Sequence, residues 1–475
     1  MSVYAHLFLT HLPAFLIGLG LVELLWPRKG LRDGWIKLAL APSLGWGVSS
    51  SLYFLWFLTL GPARPGYNGL EWGLALGTAL AAVLAGRREW RDGYARLRSA
   101  PLPALKTRSL LPGAAALLGF LFLAGLLWLR ASAQPNGNFD AYATWNLRAR
   151  FLFLTRAGDW TVSFSPLLGW WIHADYPLLW PLTLLRGYLS QDRILTQAAV
   201  FQAVVFAAAA GGLFSAGLAR LRGAWQAALG AVLLLGLPWF VNLSAFQQSD
   251  VPLAYFYLAF ILLLLLAQTD PHPGLLVLAG LSVGCAAWTK NDGLVFVIAA
   301  LAAVLFDAFR APRSSRPARL AAFAAGLLLP LAAALLFKLS LAPPGDLIGT
   351  QSIPELLAKF LDPARYLAVL LALLRQLPGL GGLTWPFVCA LAVGLFLMGL
   401  APQPPSARLF QPLALTLLGY CAVYLVTPHA IEWQLNYSLD RLIFHLLFPA
   451  LFLLLARARS PEELLRAARG TESRA

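Results

Sequence analysis

The sequence predicts an all-α polytopic membrane protein of about 13 transmembrane helices, with interfacial amphipathic helices in its large outer loops. Three observations carry this prediction. Of the 475 residues, 59% are hydrophobic and 12% charged, whereas soluble chains carry about 25% charged residues. Mean hydropathy is +0.70. Apolar runs of ~17–25 residues, the length that crosses a ~30 Å hydrocarbon core, recur from one end of the chain to the other.

These runs fall near 4–25, 36–60, 70–86, 109–129, 194–219, 225–241, 250–267, 274–289, 293–309, 320–342, 383–400, 410–427 and 441–456. The first has no Lys or Arg before it and reads as a retained helix, because a cleaved signal peptide carries a basic start. Residues 1–457 then form one transmembrane domain, and 458–475 a short cytosolic tail.

An odd number of spans puts the termini on opposite sides, and the excess of Lys and Arg in cytoplasmic loops decides the orientation. With the C-terminus inside, inward segments hold 23 basic residues and outward ones 12. The N-terminus is therefore expected outside. Outer loops then span 130–193 and 343–382. In the second, Tyr366–Leu374 is apolar but too short to cross, so an interfacial amphipathic helix is expected from about Pro354. The net charge of +15 follows from this loop bias and from contact with anionic membrane lipid. Nucleic acid is not an expected partner. Cys285, Cys389 and Cys421 lie in apolar runs without CxxC spacing, which indicates neither a disulfide framework nor a zinc site.

The chemistry concentrates at the outer face. Residues 140–156 read as an amphipathic helix in the headgroup plane, with Trp145, Trp170, Trp171 and Trp180 as an aromatic belt or as surfaces for sugar stacking. Asp140 follows Asn-Gly-Asn-Phe, so Asn138 or Asp140 caps this helix. A carboxylate fixed there is also placed to act as a general base. Arg148 and Arg150 face apart on a helix, one toward lipid phosphate and the other available to a particular phosphate. Arg148, about two turns from Asp140, is nearer its face.

Asp250 opens a span before Pro252 and reads either as a helix cap or as a second carboxylate that orients an acceptor or holds a divalent metal. Lys290 ends a span beside Asn291 and Asp292, suited to a helix C-terminus or to phosphate. Arg441 follows Asp440 at the last span, one turn before His445. His173 and Tyr176 lie in the outward stretch 170–177. No GxSxG, HExxH, Walker or GxGxxG arrangement has a supporting context, which removes protease, ATP-driven and dehydrogenase chemistry.

Phe139-Asp-Ala-Tyr142, Leu147-Arg-Ala-Arg150, Gly158-Asp-Trp160, Asp175-Tyr-Pro-Leu178, Ser249-Asp-Val-Pro-Leu-Ala254, Thr289-Lys-Asn-Asp-Gly293 and Ser438-Leu-Asp-Arg441 together resemble the GT-C glycosyltransferase superfamily. The protein O-mannosyltransferase and aminoarabinose (lipid A) transferase branch is the nearest in motif. The resemblance covers about 110–300 and 430–455. It implies a GT-C-like fold, a polyprenyl-phosphate sugar donor, Asp140 as the catalytic acidic residue, and Lys290, Arg441 and Arg148 facing the donor phosphate. Trp145, His173, Tyr176, Asn291 and Asp292 are expected substrate contacts. Where the family has Asp-Glu, this chain has Asp140-Ala141, so no metal is implied at that pair.

The expected reaction moves a sugar, with inversion, to a glycan, lipid or protein acceptor at the outer face. The expected location is the bacterial inner membrane, with the site toward the periplasm, although Asn242-Leu-Ser and Asn436-Tyr-Ser suit an endoplasmic-reticulum protein equally. The alternative is a transporter or flippase of a lipid-linked saccharide, a class that favours mid-membrane ionisable groups and repeated halves. No repeat is visible here.

Overall fold

A computed structural model describes residues 2–27, 33–62, 65–99, 107–168, 172–345 and 351–472. Among the described residues the regular structure is helical, and the sole extended pairing is an isolated bridge between Leu400 and Ala458. The protein is an all-α polytopic membrane protein. Among the described residues, nine helices are long and apolar enough to cross a membrane, or eleven if each of two bent pairs is one span. Eleven of the thirteen expected runs fall on these spans. The 225–241 run breaks by 65° at Pro238, and the 383–400 run follows an 84° bend. The other two, 109–129 and 274–289, fall on the helices Thr107–Ala133 and Pro273–Thr289.

The chain begins with α1 (Val3–Leu25), α2 (Gly34–Leu60), α3 (Tyr67–Ser99) and α4 (Thr107–Ala133). The loop expected to lie outside follows, holding α5 (Leu147–Leu154) and α6 (Leu179–Ser190), and leads to α7 (Thr196–Arg222), α8 (Ala224–Leu235) and α9 (Pro238–Ala245). The centre is α10 (Asp250–Thr269), apolar on all sides and completely buried through its spanning window, as a helix surrounded by other helices must be. It packs against α7, against α11 (Pro273–Thr289), and against α18 (Ile431–Arg457). Its first residue, Asp250, is thereby carried to the middle of one end of the bundle.

After α11 the chain runs through α12 (Asp292–Arg310) and α13 (Arg316–Ser340). Helices α11 and α13 approach closely because Gly280 and Gly326 lack side chains. A Cβ on Gly280 would stand 2.0 Å from the Phe323 carbonyl oxygen, and one on Gly326 1.8 Å from that of Val277. The second outer loop forms α14 (Ile353–Leu361), started by a Ser352–Glu355 capping box, and α15 (Pro363–Gln376), capped by Asp362. Ile353, Leu357 and Leu361 are exposed, so α14 turns an apolar face outward. Then come α16 (Trp385–Met398), α17 (Gln411–Val426), α18 and the tail helix α19 (Pro461–Glu472).

Ion pairs mark the two ends of the bundle. At the tail end Asp33 binds Arg220 at 2.8 Å, and Arg222 and Arg319 pair with Glu463 and Asp307. At the other end lie the pairs Asp140–Arg441, Asp250–Lys290 and Asp175–Lys338.

Candidate active site

The stretch after α4 is stitched to the turn before α10. Gly137 has φ +72°, and a Cβ there would meet the Phe246 carbonyl oxygen at 2.5 Å, so only glycine permits this approach. Asn146 Nδ2 donates to Gln247 Oε1 at 3.0 Å, and Gln247 Nε2 donates to the Pro135 carbonyl at 3.1 Å. Residues Ala141–Asn146 are wound as a π-helix, and α5 continues from it. Of the two candidate caps, Asn138 performs the task, its Oδ1 accepting from the Ala141 amide at 3.2 Å. Asp140 makes no capping bond. Its carboxylate instead accepts from Arg441 Nη1.

Arg441 projects from α18, where its Nη2 also donates to the Tyr437 carbonyl at 3.1 Å and its amide donates to Asp440 Oδ1 at 2.8 Å. One turn deeper on the same helix, His445 is paired with Asp250, Nε2 to Oδ1, at 2.7 Å. Lys290 Nζ reaches the same Asp250 oxygen at 3.0 Å and Asp292 Oδ2 at 2.9 Å. The relay continues from His445 Nδ1 to the Tyr420 hydroxyl at 3.3 Å and from there to Tyr257 at 2.9 Å. Tyr257 donates to the Asp292 carbonyl at 3.1 Å, which closes a ring of hydrogen bonds around the end of α10. Burial opposes the Lys290 charge, but Asp250 and Asp292 outweigh it and hold the ammonium above the usual lysine range.

On the other side of the Lys290–Asp292 turn, Asn291 Nδ2 donates to Asp175 Oδ2 at 2.7 Å, and Lys338 Nζ reaches that oxygen at 3.1 Å. The last turn of α13 is thereby tied to the outer loop. Arg148 lies against the Phe164 ring, 5.2 Å from its centroid, with Nη1 buried and unpartnered. Burial pushes its guanidinium down to about 10, with Asp175 opposing the shift. Beside these groups His173 and Tyr176 stack at 4.5 Å, and Tyr176 meets Trp145 at 5.3 Å.

Asp140, Arg441, Asp250, Lys290 and Asp292 are thus gathered at one end of the bundle. Trp145, Tyr176 and His173 form a column, while Asn291 and Arg148 face Asp175. Arg148 is placed by Phe164 and Asp175.

The aromatic belt is corrected in part. Trp145, Phe153 and Trp180 are buried, and Trp180 stacks on Phe206 and donates to Asn146 Oδ1 at 3.4 Å. Amphipathic spacing reads the same whether the apolar face meets lipid or protein. Tyr142 is exposed, and Trp170 and Trp171 lie outside the described residues. Asp175 and Lys338 were missed as a pair, although a lysine within an apolar run and an acid in an outward loop were both visible. Among the described residues there is no group of three or more His, Cys, Asp or Glu suited to a metal.

The bundle and its charged end define a polytopic membrane protein with a polar cluster built from helix ends and the loop between α4 and α7. Residues 184–338 match the family model described as dolichyl-phosphate-mannose-protein mannosyltransferase, which supports a glycosyltransferase of the GT-C type. No curated protein and no solved structure matches the chain.

Proposed function

We propose that this protein transfers a sugar from a polyprenyl-phosphate donor to an acceptor hydroxyl or amine, with inversion at the anomeric carbon. The observation that carries the proposal is the contact between the Asp140 carboxylate and Arg441, a potential base and a phosphate-binding cation held side by side. Phosphate is already a good leaving group, so the reaction needs a base on the acceptor and positive charge on the departing phosphate.

In this reading the donor phosphate takes the Arg441 guanidinium, and Asp140 turns to the acceptor. The acceptor oxygen or nitrogen attacks the anomeric carbon as its proton passes to Asp140. The bond from that carbon to the phosphate oxygen breaks, and its electron pair leaves with polyprenyl phosphate. Lys290 is held between two carboxylates and adds little net charge, so Arg441 makes the phosphate contact while Asp250 and Lys290 fix the floor beneath it. Arg148 offers its unpartnered Nη1 to a second anionic group of the substrates. The reaction takes place on the face carrying residues 130–193, which the loop-charge bias assigns to the exterior.

The test is sugar transfer by the purified protein in nanodiscs, supplied with a panel of polyprenyl-phosphate sugars. Loss of the base should lower the rate about 10²–10⁴-fold in Asp140→Asn. Retention of most activity by that variant would remove Asp140 from the chemistry.

A further inference from the structure

Away from the charged end, one flank of the bundle contains a groove of about 1050 Å³ lined from α1, α2, α4, α7 and α8. It exceeds the ~300–1,000 Å³ of ordinary small-molecule pockets. The sequence of α7 creates it. Ala208, Gly212, Ala216 and Ala219 fall at helical spacings of four, four and three, so one face of α7 is a strip of small residues along the groove floor. Phe8, Phe15, Leu38 and Phe120 supply apolar walls.

The two ends of the groove differ. Toward the end that holds Asp140, the rings of Tyr4 and Trp128 meet at 4.8 Å and bring α1 against α4. At the tail end the lining becomes polar, with Asp33 and Arg220. Arg220 binds Asp33 through Nε and keeps 38% side-chain exposure. Asp33 is held at φ 60° and accepts from Trp26 Nε1 at 3.3 Å.

An apolar channel with a partly exposed guanidinium at one end matches a lipid whose headgroup is anionic and whose chain enters from that end. We infer that the groove holds a hydrocarbon chain of an anionic glycerophospholipid from the leaflet on the tail side, with its phosphate at Arg220. The site is distinct from the proposed donor site. Arg441, which pairs with Asp140, lies at the start of the membrane-crossing part of α18, and the sixteen-residue rise from Arg441 to Arg457 separates the two ends by about 24 Å. The inference stands whether or not the glycosyltransferase chemistry does.

Native mass spectrometry of the delipidated full chain, titrated with phosphatidylglycerol or phosphatidylcholine, tests it. The wild type should retain phosphatidylglycerol about fivefold better, the effect of one basic residue at a membrane surface. Ala208 is exposed on the groove floor, so Ala208→Trp should fill the groove and cut retention roughly tenfold. Arg220→Gln should keep lipid but lose the preference for the anionic headgroup. Equal retention by Ala208→Trp and wild type, or no headgroup preference in the wild type, would overturn the inference. Displacement of phosphatidylglycerol by polyprenyl phosphate would overturn the assigned occupant. If Ala208→Trp is not monodisperse, Ala216→Leu, two turns along the same floor, gives the same readout with a smaller side chain.

Discussion

Asp140 and Arg441 are 301 residues apart in sequence and share a salt bridge, with the arginine anchored to its own helix through the Tyr437 carbonyl at 3.1 Å. A carboxylate that occupies a phosphate-binding arginine competes with the phosphate. Asp140→Asn should therefore bind polyprenyl phosphate at least as tightly as the wild type while losing transfer. Arg441→Ala should lose both. Because the two act as one unit, Asp140→Asn combined with Arg441→Ala should transfer no more slowly than the worse single variant. Weaker phosphate binding in Asp140→Asn, measured by microscale thermophoresis, would remove the competition from the mechanism.

The Lys290 ammonium is stabilised by Asp250 and Asp292 against the cost of burial, and its proton affinity is raised on folding. The sign follows directly. A raised lysine contributes stability that is complete below its unfolded value of ~10.4 and is lost as pH rises through the higher folded value. Thermal stability should thus be insensitive to Lys290 between neutrality and about pH 10 and fall above it, a fall that Lys290→Met should lack. Lys290→Met should also be about 3–5 kcal/mol less stable at pH 7, since it leaves the buried Asp250 carboxylate without this cation. A melting curve with the same alkaline fall in both proteins would assign the transition to other groups.

The helices and the residues at their ends were readable from the sequence for one physical reason: the bilayer demands long apolar runs, and charged residues at their margins stand out. Asp140, Lys290 and Arg441 were visible in this way. Partnership was not. His445 lies inside a span and meets Asp250 only because α18 packs on α10, which no spacing rule reveals. Lys338 lies inside an apolar run, and only the packing of α13 against residues 172–178 supplies its partner, Asp175. The same limit explains Trp180, whose aromatic character suits both an interface and a core. The kinks at Pro238 and before α16 were hidden because hydropathy is blind to direction.

The contact of α11 with α13 makes a separate claim about stability. Gly280 and Gly326 each face a backbone carbonyl of the other helix at a distance no Cβ tolerates, and small residues are the usual means of close helix approach in a membrane. Replacing Gly326 with alanine forces the helices apart and should cost about 1–3 kcal/mol, the range for overpacked sites. Gly394 has open space where a Cβ would stand, so Gly394→Ala is the matched control. Equal melting temperatures for the two variants would show that α13 adjusts freely.

The aromatic column separates support from contact. Trp145 is 3% exposed and belongs to the core, whereas Tyr176 is half-buried between it and His173. Trp145→Ala should act through stability, at the ~3–5 kcal/mol of a truncated core aromatic, and lower activity only as the protein unfolds. Tyr176→Ala should leave the melting temperature closer to wild type and raise KM for a sugar substrate. A stacking contact of ~0.5–1.5 kcal/mol corresponds to about two- to tenfold in KM. Tyr176→Phe keeps the ring and should keep KM. If Tyr176→Ala instead lowers kcat with KM unchanged, the ring serves the geometry of the reacting groups and not the grip on the sugar.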